Sequence, residues 1–241
     1  EFARAADDIA DNPNLSAKEK LMRLDQFETG LSGDGPDKAR KLGLSLGQTG
    51  VTDQHARDLL QAFRMDAEKS RYASWEDLLG YCELSANPVG RYLMDLHDDR
   101  RENWPATDAL CTVLQILNHL QDCKEDHATL NRVYIPQDML EAEGLNDEVL
   151  ATPECSPAFR RVLDRILNAC DALIERAKRR DARPVSRRLH AETVLITRLA
   201  GRLSARLRKQ DPLAERVVLS KLDFLFASLA GLISIFTPMR G

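Results

Sequence analysis

Apolar residues recur at three- and four-residue spacing along most of this chain, a period that buries one stripe of an α-helix and does not suit a strand. The segment Thr107 to Cys123 shows it most plainly, with Leu110, Val113, Leu114, Leu117 and Leu120 in phase, and it is predicted to be a central helix. Ser16-Ala17-Lys18-Glu19 is a capping box ahead of Leu21, Leu24 and Phe27, and Gly30 to Pro36 reads as a loop. Val51, His55, Leu59, Leu60 and Phe63 predict a helix capped at Thr52 or Asp53. Ser74-Trp75-Glu76-Asp77 opens the next, which carries Leu78, Tyr81 and Cys82. Pro88 should break or kink the pattern from Leu78 to Leu96, because it lacks a backbone donor and clashes with the preceding turn. Asn103-Trp104-Pro105 closes a polar linker, and Pro136, Pro153 and Pro157 punctuate an irregular stretch. Three long helices are predicted beyond it, from Phe159 to Lys178, Ser186 to Leu207 and Leu213 to Phe236.

Composition agrees. A chain of 241 residues with 43% hydrophobic but only 5% aromatic residues predicts one all-α domain over residues 1–241, with a sizeable core and little or no strand. The net charge of −4, without basic stretches interleaved with aromatics, excludes nucleic acid as a partner. Five cysteines without CxxC spacing argue against a disulfide framework or a thiolate zinc site and point to a reducing, cytoplasmic setting. No leader is visible, and the chain opens at Glu1-Phe2-Ala3-Arg4 as if partway through a helix. The longest apolar run, Phe224 to Phe236, is shorter than the ~20 residues that span a bilayer and is predicted to be a buried helix, packing the core or lining a cavity.

The chemistry-bearing residues are acidic. Asp7-Asp8-Ile9-Ala10-Asp11 sets Asp7 and Asp11 one helical turn apart on one face, and Asp122-Cys123-Lys124-Glu125-Asp126 repeats the arrangement. Such pairs also arise by chance on solvated faces. The second is distinguished by Asn118 and Gln115, which extend its polar stripe back along an otherwise core-facing helix. Mg²⁺ takes oxygen ligands and is commonly held by one or two carboxylates plus substrate phosphates, so two facing pairs can clamp a diphosphate and make it a leaving group. The carbocation left behind demands an apolar, water-shielded cavity.

These motifs resemble the squalene/phytoene synthase family. Arg4-Ala5-Ala6-Asp7-Asp8-Ile9-Ala10-Asp11 matches its first motif, and Asn118 to Asp126, followed by Arg132-Val133-Tyr134-Ile135-Pro136, matches its second. Tyr81-Cys82-Glu83-Leu84-Ser85-Ala86-Asn87-Pro88-Val89-Gly90 resembles the Tyr-Cys segment between them. The resemblance implies a single-domain, isoprenoid-synthase-type helical bundle around a central apolar cavity, with a further helix expected ahead of Glu1. It implies Mg²⁺ held by Asp7, Asp11, Asp122 and Asp126, with Asp8, Glu125 and Asn118 in the metal set. Arg4, Asn118, Arg132 and Tyr134 are implied as substrate contacts, with Tyr81 and Gln115 facing the cavity.

The string Ser85 to Arg91 resembles a branch whose members convert presqualene diphosphate and water to hydroxysqualene and diphosphate. On that reading Ser85 or Asn87 positions the quenching water, unless Ser85 bonds its own helix and Asn87 serves only groups freed by Pro88. Alternatives are head-to-head condensation of two farnesyl diphosphates, with or without reduction, and a catalytically silent helical binding or assembly protein. Another departure is Gln121, where many relatives carry a basic residue. His119 is expected to lie off the Asp122 face as packing or surface. Arg64, Lys69 and Arg71 are either solvated or recruit a diphosphate. The run Lys178-Arg179-Arg180 faces solvent or touches anionic lipid beside a membrane-resident pathway partner.

Overall fold

The computed structural model describes residues 1–179 and 181–236, which form α1 (Phe2–Ala10), α2 (Ala17–Leu31), α3 (Asp37–Thr49), α4 (Gln54–Glu68), α5 (Trp75–Ser85) and α6 (Asn87–Leu96). Then follow α7 (Trp104–Leu130), α8 (Gln137–Glu141), α9 (Pro157–Ala177), α10 (Arg187–Leu207) and α11 (Lys221–Phe236). Among the described residues the only β feature is an isolated parallel bridge between Arg71 and Val133, so the all-α expectation holds. No described helix is long and apolar enough to cross a membrane.

Local signals act as their chemistry requires. The Glu19 N–H donates to Ser16 Oγ at 3.3 Å and the Ser16 N–H to Glu19 Oε2 at 2.9 Å, closing both halves of the capping box. Thr52 Oγ1 accepts from the Gln54 N–H at 3.2 Å, whereas Asp53 turns to Arg57. The Ser74 hydroxyl caps α5 by accepting from the Asp77 N–H. Pro88 produces a full break: α5 ends at Ser85, and α6 begins at Asn87 with Pro88 in its first turn, where a missing donor costs nothing. Helix α2 continues through Gly30, which the sequence placed in a loop. A Cβ there would stand 2.6 Å from that of Ala39, so glycine is what lets α2 and α3 cross.

Two apolar clusters form the interior. One joins Phe2, Ala6 and Ala10 of α1 to Leu24, Phe27, Leu59, Leu60 and Phe63 of α2 and α4. The larger surrounds α7, whose Leu110, Val113, Ile116, Leu117 and Leu120 meet Phe159, Val162, Leu163 and Ile166 of α9 and Leu203 and Leu207 of α10. At 27 residues α7 is about 40 Å long and runs past the predicted Cys123, so the second acid motif lies within its last turns. Gly90 of α6 faces α7 so closely that a Cβ would meet Cys111 Sγ at 2.5 Å and Thr107 Cγ2 at 2.7 Å. Gly90→Ala is expected to cost about 1–3 kcal/mol through overpacking, read as a fall of several degrees in melting temperature.

The C-terminal helix departs from expectation. Helix α11 starts at Lys221 rather than Leu213, because residues 211–220 leave the helical path. There Leu213 O accepts from Lys124 Nζ at 2.6 Å and Val217 O from Gln121 Nε2, binding the segment along α7. The helix is not buried all round. It packs on α10 through Ala227 and through Gly231, whose Cβ would lie 3.0 Å from Ala191 O, and it exposes Leu222, Phe224, Leu225, Phe226, Leu229 and Leu232. A run that is apolar on every side carries no record of which side has a neighbour, and here α10 covers one face only.

Candidate active site

A cavity of about 470 Å³ lies at the seam between the two clusters. Helix α1 contributes Arg4 and Asp7, and its C-cap Asp11; α4 contributes Leu59, Phe63 and Asp66; α5 and α6 contribute Tyr81, Ser85 and Val89. Gln115, Asn118, His119, Asp122 and Asp126 enter from α7, and Arg132 and Tyr134 from the segment after it. Residues as far apart in sequence as Ala3 and Tyr134 thus line one cavity, which mixes apolar side chains with charged ones.

Three candidates stand elsewhere. Asp8 is exposed and pairs with Arg4 Nε at 3.1 Å, and Glu125 is exposed on the outer side of α7; each adjoins a motif aspartate but is turned about a quarter of the helix away from it. Asn87 is buried, and its Oδ1 accepts from Thr112 Oγ1 at 2.9 Å, joining α6 to α7 instead of lining the cavity. The three are therefore not brought to the site by this fold.

Arg132 organises the charged end. Asn131 terminates α7 in the left-handed region, at φ 51°, and turns the chain back beside residues 70–72, where the Val133 N–H donates to Ser70 O at 2.9 Å. Arg132 is left 7% exposed with three acceptors: Asp11 Oδ1 at 2.6 Å, Ala10 O at 3.2 Å and Asp66 O at 3.0 Å. It joins the ends of α1 and α4. Tyr134 and Tyr81, both buried, donate to the two oxygens of Asp66 at 3.3 and 2.9 Å. Their rings lie 5.6 Å apart, and Tyr72 stacks on Tyr134.

Asp66 was not singled out from the sequence, since it stands alone in Phe63-Arg64-Met65-Asp66 without a spaced acidic partner. Burial, with Arg132 opposing and Asp11 adding, pushes its carboxyl up to about 6. Protonation turns one Asp66 oxygen into a donor and weakens its hold on the two tyrosines, so a rate–pH profile is expected to lose activity below about pH 6, and Asp66→Asn to lower the rate and remove that limb. Because the folded value lies above the ordinary 3.8, the group's contribution to stability is present below pH 3.8 and lost as pH rises through about 6. Melting temperature against pH should therefore flatten across that window in Asp66→Asn.

His119 packs, as expected, but within the cavity lining and not away from it. It lies in the cavity wall, stacked at 3.4 Å on Tyr134, with Nε2 3.1 Å from Gln115 Nε2 and Nδ1 3.9 Å from Asp126. Burial lowers its pKa, so it stays neutral at pH 7. Arg216, also unforeseen, comes from the segment before α11 and grips both oxygens of Asp122 at 2.6 and 2.9 Å. Asp7 lies within 3.7 Å of Arg4, and burial together with Asp11 raises its pKa.

The other basic candidates have partners within the protein. Arg64 holds Asp25 and Glu28, Lys69 holds Asp77, and Arg71 holds Asp147 and Asn131. Lys178 pairs with Glu175 at 2.5 Å and Arg179 is exposed, while Arg180 lies outside the described residues. The five cysteines are free, and burial raises their thiols to between about 11 and 12.

An all-helical fold with two carboxylate pairs facing one arginine-rimmed, partly apolar cavity defines an isoprenoid-synthase-type enzyme. A family model described as squalene/phytoene synthase matches residues 1–223, and the chain belongs to that family, as a prenyl transferase of the squalene/phytoene type. It is similar to hydroxysqualene synthase of Rhodopseudomonas palustris, at 41% identity over 97% of this chain and 80% of that protein. It is also similar to hydroxysqualene synthase of Zymomonas mobilis, at 39% over 96% of this chain and 80% of that one. Among solved structures, squalene synthase HpnC of Alicyclobacillus acidocaldarius superposes with TM-score 0.65 at 25% identity, covering 99% of this chain and 82% of that one. A dehydrosqualene synthase superposes with TM-score 0.76 at 18% identity, over 98% and 84% of the two chains, and shares the fold.

Proposed function

We propose that the protein converts presqualene diphosphate and water to hydroxysqualene and diphosphate with the help of Mg²⁺. The observation that supports this most directly is the convergence of Asp7 and Asp11 with Asp122 and Asp126 across a cavity that also holds Leu59, Phe63 and Val89. Similarity to two hydroxysqualene synthases at about 40% identity favours the water-quenched branch over condensation.

Asp7, Asp11, Asp122 and Asp126, with Asn118, are the residues that would hold the metal: all offer oxygen, and because no three acidic, histidine or cysteine side chains among the described residues stand close enough to hold an ion by themselves, the two pairs would share it with the phosphates of the substrate. Bound there, Mg²⁺ supplies neutralisation of the charge developing on the leaving diphosphate.

The chain's own groups do the rest. Arg4 and Arg216 sit at the charged rim, exposed and able to leave their aspartates for phosphate oxygens, while buried Arg132 keeps α1 and α4 in place. The carbon–oxygen bond breaks with its electron pair leaving on diphosphate, and the cyclopropylcarbinyl cation rearranges, a ring carbon–carbon bond breaking, before water captures it. The aromatic side chains of Tyr81 and Tyr134 place electron density in the wall around the resulting cation, and the buried Leu59 and Phe63 limit entry of water on their side. A neighbouring cavity of about 400 Å³ shares Ala3, Leu59 and Val89 and continues past Phe2, Leu42, Leu46 and Ala56, giving the hydrocarbon chains an apolar path.

The test is incubation of purified protein and Mg²⁺, without NADPH, with presqualene diphosphate or farnesyl diphosphate, products being identified by mass spectrometry. Hydroxysqualene from presqualene diphosphate is expected. Presqualene diphosphate accumulating from farnesyl diphosphate, with no alcohol from either substrate, would move the assignment to the condensing reaction. Tight binding without turnover would make it a silent binding protein.

A further inference from the structure

Ser85 is the last residue of α5 and forms part of the cavity wall beside Tyr81 and Val89. A helical serine ordinarily returns its hydroxyl to the carbonyl one turn back, yet Ser85 Oγ is buried and has no hydrogen-bond partner among the described residues. Buried hydroxyls are nearly always paired, so the missing partner is to be sought on the cavity side, which Ser85 lines. Asn87, the other polar group of this segment, is already engaged by Thr112 and stands outside the lining.

We propose that Ser85 is the residue that holds the water captured by the carbocation, and so decides between an alcohol and a hydrocarbon product. This rests on the reaction proposed above. Ser85 lies on the same face of α5 as Tyr81, four residues earlier, in the lining that also carries the buried Leu59 and Phe63. A water bonded to its hydroxyl is held beside the cation there. Its oxygen lone pair forms the new carbon–oxygen bond, and the proton it loses passes to the departing diphosphate. Without that water the cation instead loses a proton from an adjacent carbon to the same diphosphate, giving an alkene, so neither outcome requires a reductant.

The test uses the full chain with Mg²⁺ and presqualene diphosphate in water enriched in oxygen-18, measuring labelled alcohol per diphosphate released. In Ser85→Ala the alcohol share is expected to fall at least fivefold, with alkene making up the difference, whereas Ser85→Thr, which keeps a hydroxyl, should retain most of it. Ser85→Ala should also melt no lower than the parent, since the hydroxyl it removes has no protein partner. An unchanged alcohol share in a folded Ser85→Ala would overturn the proposal, as would a clear loss of thermal stability showing that the hydroxyl serves the fold. Absence of diphosphate release by the parent chain would instead overturn the assigned reaction, and this inference with it.

Discussion

Arg132→Met is expected to lower the melting temperature by roughly 10–15 °C and to reduce turnover at least a hundredfold. The guanidinium is buried and serves Asp11, the Ala10 carbonyl and the Asp66 carbonyl together, so removing it leaves one carboxylate and two carbonyl oxygens without their donor. Leaving the Ala10 and Asp66 carbonyls without this donor costs about 1–3 kcal/mol each, and Asp11, which is 35% exposed, loses its ion pair besides. A domain of this size loses about 2–4 °C for each kcal/mol. Activity should fall with it, since α1 would lose the contact that fixes Asp11 against the cavity. Arg132→Lys keeps the charge but cannot serve three acceptors in a planar fork, so it should be intermediate in stability and still poor in turnover. Thermal melts beside diphosphate-release assays check both. A melting temperature within 2–3 °C of the parent for Arg132→Met would show that this ion pair does not hold α1 to α4.

The second large effect has the opposite signature. Asp7→Asn combined with Asp126→Asn should abolish at least 99.9% of turnover, on the order of the thousandfold loss typical when a group stabilising transition-state charge is removed, yet leave the metal-free melting temperature unchanged or slightly raised. Asp7 is raised by burial and by its neighbour Asp11, so in the absence of a cation its charge works against the fold. Asp126 has no arginine within its motif comparable to the Arg216 that holds Asp122. A group such as Asp7, which is unfavourable in the resting protein and faces a cavity, is better explained by what it binds than by what it packs. The checks are a melt with and without Mg²⁺ plus inorganic diphosphate and a turnover assay. The parent should be stabilised by the pair of ligands and the double variant should not. A substantial loss of stability in the metal-free variant would assign these carboxylates to structure instead.

Together the variants separate two uses of charge within one cavity. Arg132 is held on every side by protein and sets the distance between α1 and α4. Arg4 and Arg216 are exposed partners of aspartates and can exchange them for phosphate. Asp66 belongs with the first group through its backbone and with the site through its carboxylate, which makes pH the natural probe of its role.

The sequence alone determined what depends on neighbours along the chain. Helical period, the Ser16 capping box, the Ser74 cap, the Pro88 break and the one-turn spacing of Asp7 with Asp11 and of Asp122 with Asp126 are all local, and a helix converts such spacing directly into a shared face. The same rule, followed strictly, turns Asp8 and Glu125 away from their motif partners. Only the tertiary structure decided which distant segments meet. Asp66 becomes part of a site because the chain after Asn131 returns beside residues 70–72, Arg216 because residues 211–220 are bound along α7, and His119 because Tyr134 offers it a face. Asn87 was diverted to Thr112, and α11 kept an exposed face, by the positions of α7 and α10. The physical reason is common to all of these: hydrogen bonds, charges and apolar contacts act over a few ångströms in space, and positions far apart in sequence are brought within that reach by packing alone.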